Sequence, residues 1–124
     1  MNHFLLIFIG SGLGATARYA LSLGLQSPSS KMPYGILSCN LIGCLLIGIT
    51  YGLVKAHHPS WISPLAVTGF LGGFTTFSTF ALDYHKMMNQ GMASTAIVYI
   101  LISLIGGLLL CYLGMAAASS FSAE

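Results

Sequence analysis

The sequence predicts an all-α membrane protein with four transmembrane helices, and three observations lead to this fold class. Charged side chains make up only 5% of the 124 residues, whereas an ordinary soluble protein carries about 25%. Hydrophobic residues reach 56%, and the mean hydropathy is +0.87. Four apolar stretches each reach the roughly 20 residues that a helix needs to cross the hydrocarbon. Too few polar groups remain to coat a water-soluble domain, so we expect residues 1–124 to form a single four-helix transmembrane domain.

The composition also excludes several functions. Four basic and two acidic residues give a formal net charge of +2, which is too small for the basic surface that binds nucleic acid. The only acidic residues are Asp83 and Glu124, and no nucleophile–base pair is recognisable, so we expect no enzyme. The three cysteines lack zinc-finger or redox spacing and are interpreted as buried, inert thiols: Cys39, Cys44 and Cys111.

The first predicted span covers about residues 4–25, and the second covers about residues 34–54. They are separated by a loop rich in proline and serine, which does not continue a helix. Arg18 lies inside the first span, where it would cost about 2.5–3.5 kcal/mol at the helix centre, so we expect it to snorkel or to face a wet vestibule. Both spans contain glycines at GxxxG spacing, which allows close helix contact: Gly10 with Gly14, and Gly48 with Gly52.

Asn40 lies about one-third of the way through the second span, beside Gly43. An asparagine in lipid is costly unless its amide group is hydrogen-bonded. The side chain therefore either joins two helices or donates its NH₂ group to a polar pathway, and the sequence leaves both interpretations open.

The third predicted span covers about residues 62–83 and contains the segment GFLGGFTTFSTF. Gly72 and Gly73 each lower helix stability by about 1 kcal/mol relative to alanine. A break near the middle of this helix would expose carbonyl oxygens, which form a cation site, and amide hydrogens, which form an anion site. The alternative is tight packing through Gly69 and Gly73, with the hydroxyls bonded to carbonyls four residues earlier. We favour a third helix that is broken near its middle and lined by hydroxyls.

Phe74, Phe77 and Phe80 recur at every third residue of this segment, as on one face of a helix. Such aromatic stripes are more often core than site. Here they alternate with hydroxyl groups, and a phenyl ring has a positive edge that can complement a small anion. Weak binding at several such positions would let an anion leave again, whereas a strong positive ring would trap it.

The fourth predicted span covers about residues 93–115. Tyr99 and Ser103 lie one helical turn apart in it and form a line of hydroxyl donors. The loop histidines lack a third ligand at suitable spacing, so we interpret them as solvated rather than metal-binding: His57, His58 and His85.

The charges give almost no signal for the orientation of the chain. Lys31, Lys55 and Lys86 fall in successive predicted loops. Two of these lysines therefore lie on one side of the membrane and one on the other, whichever way the chain inserts. Either lipids or partners settle a weak preference, or both orientations are made and two copies assemble antiparallel. The charge count alone leaves both interpretations open.

The segment GFLGGFTTFSTF resembles the Fluc (CrcB) fluoride channel family. The similarity extends to GSGLGATARY, to YGILSCNLIG and to the four-span length, and thus covers nearly the whole chain. This resemblance implies a dual-topology, antiparallel homodimer with two fluoride pathways and a central structural sodium ion (Na+) that is not transported. It also implies a multi-pass protein of the cell (inner) membrane, surrounded by lipid.

The resemblance also assigns roles to individual residues. The residues that match the fluoride pathway are Asn40, Thr76, Phe77, Ser78, Phe80, Tyr99 and Ser103. Gly72 and Thr75 match the positions whose backbone carbonyls hold the sodium ion. Arg18 matches the arginine that ends the first motif, in a vestibule or structural role. Asp83 is assigned the same vestibule or structural role; it stands where many relatives carry glutamate, and its carboxylate has a shorter reach than theirs.

The function that the resemblance implies is passive export of cytoplasmic fluoride down its electrochemical gradient, which lowers fluoride toxicity. Fluoride holds its water tightly, so a selective path must replace that water with short, convergent donors such as the Asn40 amide. The composition alone does not distinguish fluoride from another small anion. One alternative is a small proton-coupled multidrug exporter, which needs a titratable carboxylate in the membrane, whereas Asp83 lies near a helix end. Another is a non-transporting membrane assembly subunit whose glycines only pack helices.

Overall fold

The computed structural model describes residues 2–54 and 59–121, and every regular element in these ranges is helical. Helix α1 covers His3–Leu25 and helix α2 covers Tyr34–Val54, which agrees with the first two predicted spans. Asn2 caps α1, because its Oδ1 accepts a hydrogen bond from the backbone N–H of Phe4 at 3.0 Å. The interpretations that concern Lys55, His57, His58 and Glu124 lie outside the described residues.

The third span consists of two helical pieces. Helix α3 covers residues 63–74, with wide π-type turns over Ser63–Leu71 and α-helical turns over Gly72–Phe74. Helix α4 covers Phe77–Asn89. Between them, Thr75 (φ −90°, ψ 156°) and Thr76 (φ −151°, ψ 122°) have extended backbones, and we call this pair the extended step.

The extended step does not lie at the glycines. Gly72 has helical dihedral angles (φ −63°, ψ −35°) and Gly73 is also helical, although the sequence favours a break at this pair. Thr75 and Thr76 are β-branched, which favours an extended backbone. A Cβ added at Gly73 would come within 2.5 Å of the carbonyl oxygen of Ser11 on α1, so this glycine serves helix contact instead.

Helix α5 covers residues 93–121 and is continuous, but its turns widen to the π type over Ile102–Gly106. The turn before it contains Gly91, whose positive φ of 73° suits a residue without a side chain. The N–H of Gly91 donates to the carbonyl of Met88 at 3.1 Å, which closes the end of α4.

Four helical segments in the described ranges are long and apolar enough to cross a membrane: His3–Leu25, Tyr34–Leu53, Ser63–Asn89 and Ala93–Ser120. Many of their large apolar side chains are exposed, such as Phe4, Leu13 and Leu108. This is the pattern of a multi-pass membrane protein, in which helices satisfy their own backbone groups and present apolar side chains to lipid.

The helices pack in two pairs through glycine seams. In the α1–α3 pair, a Cβ added at Gly14 would collide with the carbonyl oxygen of Phe70. In the α2–α5 pair, one added at Gly48 would collide with the carbonyl oxygen of Cys111. Contacts advance in the same direction along both members of each pair, so the first and third spans run parallel, as do the second and fourth. The predicted role of the GxxxG glycines in close helix contact is confirmed.

A small core cluster joins α4 to α2 and α5. Its buried members are Leu37, Phe80, Met87, Ala96 and Tyr99. This cluster sits directly after the extended step along α4, and it therefore fixes where the step lies relative to α5.

Candidate functional site

The extended step takes two residues out of the helix, and their backbone groups need partners because there is no water in the bilayer core. The N–H of Thr75 still donates to the carbonyl of Leu71 at 3.0 Å. The Nη1 atom of Arg18 donates to the carbonyl oxygen of Thr75 at 3.1 Å. Arg18 is half-buried, so it turns toward α3 and satisfies a backbone acceptor rather than only reaching for the membrane surface.

Asn40 satisfies both backbone groups of Thr76. Its Nδ2 atom donates to the carbonyl oxygen of Thr76 at 3.1 Å, and its Oδ1 atom accepts from the N–H of Thr76 at 2.8 Å. Of the two interpretations that the sequence left open, the structure shows the one in which Asn40 joins two helices. Nδ2 carries a second hydrogen, so one donor position of this amide is not used by Thr76.

The threonine hydroxyls serve the ends of the two helical pieces. The Thr76 hydroxyl caps α4, since it accepts from the N–H of Thr79 at 3.3 Å. It also lies 3.1 Å from the Thr79 hydroxyl and 3.3 Å from the Ser78 hydroxyl. The Thr75 hydroxyl donates to the carbonyl of Leu71 at 3.0 Å, which is the bond four residues back that the packing alternative expects. Thr76, not Thr75, therefore carries the hydroxyl cluster of the step.

The step also leaves a carbonyl oxygen of α3 without its helical donor. In an uninterrupted α-helix, the N–H of Thr76 would donate to the carbonyl of Gly72, but here it donates to Asn40. Freed carbonyls at the end of a broken membrane helix are the groups that hold Na+ in membrane proteins. In the described part of the chain, no three His, Cys, Asp or Glu side chains are grouped to hold a metal. The Gly72 oxygen thus fits a sodium ligand, and the Thr75 oxygen has one lone pair left beside Arg18.

A groove of about 340 Å³ opens beside the extended step, between α2, the step and α5. Seven of the residues predicted for the site line it: Asn40, Gly72, Thr75, Thr76, Phe77, Phe80 and Ser103. The structure therefore brings together residues from three of the four spans, which lie up to 63 positions apart in the sequence.

The rings of Phe77 and Phe80 form a pair at this groove. Their centroids are 5.6 Å apart with an angle of 39° between the planes. Phe80 is buried at 9% exposure, whereas Phe77 is 76% exposed. Phe74 does not join them, because the extended step turns the chain between Phe74 and Phe77, and its ring stacks on Phe70 at 5.8 Å. The predicted single stripe of three rings is wrong for Phe74.

Tyr99 and Ser103 place two unused hydroxyl groups next to these rings. The Tyr99 ring lies 5.0 Å from the Phe80 ring, and its side chain is fully buried. The hydroxyl oxygens of Tyr99 and Ser103 are both buried and have no hydrogen-bond partner among the described residues. A buried hydroxyl without a partner costs about 1–3 kcal/mol, so this pair marks a place where a polar ligand would be stabilised.

Sequence reasoning missed two features of the site. Ser103 lies in the π-type turns of Ile102–Gly106, and such turns occur often at functional sites, but they leave no signal in hydropathy. Ser22, one turn after Arg18 on α1, has a third buried hydroxyl without a partner. It lines a second cavity of about 430 Å³, together with Lys31, Asp83 and Lys86.

Asp83 and Ser78 stand apart from the groove. Asp83 is half-buried and lines the second cavity, nearly two turns along α4 from the extended step. Ser78 is exposed, and its hydroxyl pairs with that of Thr76. The structure therefore places these two predicted residues at the edges of the site rather than with the rings.

Known protein sequences are similar to this chain along almost its whole length. A sequence model of the family described as "CrcB-like protein, Camphor Resistance (CrcB)" matches residues 5–115. A protein of Bordetella petrii named "Fluoride-specific ion channel FluC" is 47% identical over 118 residues, which cover 94% of this chain and 91% of the relative. A protein of the same name from Francisella philomiragia is 46% identical over 116 residues, which cover 89% of both chains. Another, from Bordetella avium, is 42% identical over 118 residues, with 94% and 92% covered.

Proposed function

The chain belongs to the CrcB-like family, and from this membership we propose that it is a fluoride-specific ion channel. Ion permeation, not catalysis, is its activity. Fluoride flows passively down its electrochemical gradient. Because hydrogen fluoride crosses membranes as a neutral weak acid and dissociates inside, the outward flow through such a channel lowers the fluoride that a cell accumulates.

The observation that carries this proposal is the pair of unpartnered hydroxyls beside the phenylalanine rings. The hydroxyls of Tyr99 and Ser103 are buried one turn apart on α5, and the Phe80 ring lies against Tyr99. Hydroxyl hydrogens and positive ring edges both favour an anion. A dehydrated fluoride ion would satisfy the two donors, and neither group carries a full charge that would hold the ion permanently.

We infer a pathway that runs along the groove beside the extended step. Phe77 and Phe80 supply ring edges and Thr76 supplies a hydroxyl in the groove, while the Ser78 hydroxyl lies outside it, next to that of Thr76. The second Nδ2 hydrogen of Asn40 adds a donor on the α2 side. The groove is lined by residues of all these kinds, so an ion that moves along it exchanges one weak donor for the next.

A second copy of the chain would complete the pathway. Phe77 is 76% exposed in the single chain although it lines the groove, so one wall of the pathway is missing. Lys31 and Lys55 belong to the first two loops by sequence, and Lys86, predicted for the third loop, lies in the last turn of α4. This almost balanced distribution allows either orientation in the membrane. We therefore propose an antiparallel, dual-topology homodimer in the cell (inner) membrane, with a fluoride pathway in each protomer.

The resemblance to the family and the freed Gly72 carbonyl together support a structural sodium ion. One protomer offers the carbonyl oxygens of Gly72 and Thr75, and two copies would offer four oxygens at the centre of the dimer. The helix dipole makes the C-terminal end of α3 partly negative, which favours a cation there. When bound, the ion would tie the two extended steps together without moving through the pathway.

Fluoride efflux from liposomes tests the proposed function. Purified protein is reconstituted into vesicles loaded with potassium fluoride, and valinomycin allows potassium to follow when efflux is started. A fluoride electrode should record rapid release from these vesicles, while vesicles loaded with potassium chloride should show no comparable chloride release on a chloride electrode. Fluoride release no faster than from protein-free vesicles, with sodium present, would contradict the proposal.

A further inference from the structure

The carbonyl oxygen of Thr75 has two positive groups competing for it. The Arg18 guanidinium donates to it at 3.1 Å, and the sodium ion proposed above needs the same oxygen. This inference therefore rests on the proposed function, but it concerns Arg18, whose contact is seen directly in the single chain.

Arg18 is held in this position by its surroundings. It is half-buried on α1, four residues after Gly14, which lies against the Phe70 carbonyl in the glycine seam with α3. Its own carbonyl oxygen lies 3.8 Å from the thiol of Cys39 on α2. The one acidic side chain of the described residues, Asp83, lines the second cavity with Lys86. The guanidinium thus meets a backbone oxygen at the step.

Two cations on one carbonyl oxygen repel each other strongly. A carbonyl has two lone pairs, so the arginine and the ion could both bind to it, but their like charges would then repel each other in a medium that screens little.

We propose that Arg18 is a positioning residue that holds the Thr75 carbonyl of the extended step and, by sharing this oxygen with the structural cation, weakens sodium binding. Without sodium, the guanidinium keeps the carbonyl satisfied and the step extended. With sodium on this oxygen, the hydrogen bond from Arg18 would be weakened. The channel thus holds its step in place at low sodium and does not depend on the ion alone.

The first test observes Arg18 in the unaltered protein. It is the only arginine in the sequence, so protein labelled with ¹⁵N-arginine gives one side-chain Nε–H signal in detergent micelles. Titration with sodium chloride should shift this signal, and N-methylglucamine chloride at equal ionic strength should not. A signal that stays in place across the sodium titration would overturn the inference.

The second test measures sodium affinity through thermal stability. For the wild type and Arg18→Gln, the unfolding midpoint in detergent is followed against sodium concentration. Arg18→Gln should reach half of its sodium-dependent shift at roughly tenfold lower sodium, which corresponds to about 1.4 kcal/mol. Lys31→Gln removes one exposed positive charge from the first loop and should leave the half-point unchanged.

The outcomes separate this inference from the proposed function. An unchanged or higher half-point in Arg18→Gln would overturn the inference even where the wild type conducts fluoride. Absence of any sodium-dependent shift in a conducting wild type would overturn it as well. Absence of fluoride efflux would instead refute the channel, and the arginine signal would still decide whether sodium and Arg18 are coupled. If Arg18→Gln does not fold, the wild-type signal decides alone.

Discussion

Single polar side chains from different helices hold the extended step in place. Asn40 on α2 satisfies both backbone groups of Thr76, and Arg18 on α1 satisfies the carbonyl of Thr75. These bonds account for the presence of an asparagine and an arginine inside apolar spans, where each is costly without a partner. Tyr99 and Ser103 differ from them, because their buried hydroxyls have no partner in the described residues. Asn40 and Arg18 therefore hold the structure of the site, while the hydroxyls of Tyr99 and Ser103 are free to bind a ligand.

Tyr99→Phe separates the two roles. The change removes the unpartnered hydroxyl and keeps the ring against Phe80, so the thermal midpoint should stay the same or rise. If the hydroxyl binds fluoride, a lost hydrogen bond to an anion, worth about 1.5 kcal/mol or more, should slow fluoride efflux roughly tenfold. Liposome efflux and thermal unfolding are measured on the same preparations.

The matched control is Tyr112→Phe, on the same helix but with an exposed side chain. It should change neither fluoride efflux nor the thermal midpoint. Equal efflux from Tyr99→Phe and the wild type would reduce Tyr99 to a packing residue and remove it from the pathway.

At the scale of the helices, hydropathy predicts the ends of α1 and α2 but not those of α4 and α5. α4 and α5 each continue six residues beyond the predicted ends of their spans, to Asn89 and Phe121. A helix does not need to stop where the hydrocarbon stops, so the apolar pattern gives no signal for these last turns. The sequence also does not predict the π-type turns or the position of the extended step. These depend on contacts between residues that are distant in the sequence, such as Asn40 with Thr76.

The glycine seam of α1 and α3 gives a prediction at this scale. Gly14→Ala places a methyl group against the backbone of Phe70, which a side-chain rotation cannot relieve, so the helices must separate. We expect the free energy of unfolding to fall by about 1–3 kcal/mol. Thermal or denaturant unfolding in detergent measures the change.

Gly12→Ala is the control, two residues earlier on the same helix. A Cβ there meets nothing within 4 Å, and alanine favours a helix more than glycine does. Its stability should be unchanged or slightly higher. If the two alanine variants were equally destabilised, the seam would not be the cause.

For the whole molecule, the sequence predicts the fold class, the four membrane helices and the family, because these follow from composition, from apolar lengths and from the motif around Thr75 and Thr76. The sequence also indicates site residues, most of which line one groove in the structure. It does not predict which of them are already used by the backbone: Asn40 was weighed as a pathway donor, yet its amide is largely occupied by Thr76. Such occupancy depends on the relative positions of three helices, which no local pattern encodes.

The orientation of the chain in the membrane is a prediction at this scale. Ser29 lies exposed in the loop between α1 and α2, so Ser29→Cys gives a reporter outside the membrane. Since the three lysines give almost no orientation bias, about half of the reporter should react with a membrane-impermeant maleimide from outside intact cells, and the rest only after permeabilisation.

The unaltered chain is the control for this labelling. Its cysteines are buried or half-buried within the helices, so it should react little from either side. Complete reaction of the reporter from one side alone would argue against dual topology and against an antiparallel dimer.

The two glycine seams have a mechanical consequence. Each fastens one helix pair backbone to backbone, and the amide of Asn40 and the guanidinium of Arg18 then clamp the step from both pairs. In the described part of the chain, these contacts tie both helix pairs to the extended step and oppose rocking of one pair against the other. An ion that passes through such a structure exchanges one set of protein donors for the next while the helices keep their positions. This distinguishes a channel from a transporter, which must change conformation in every transport cycle.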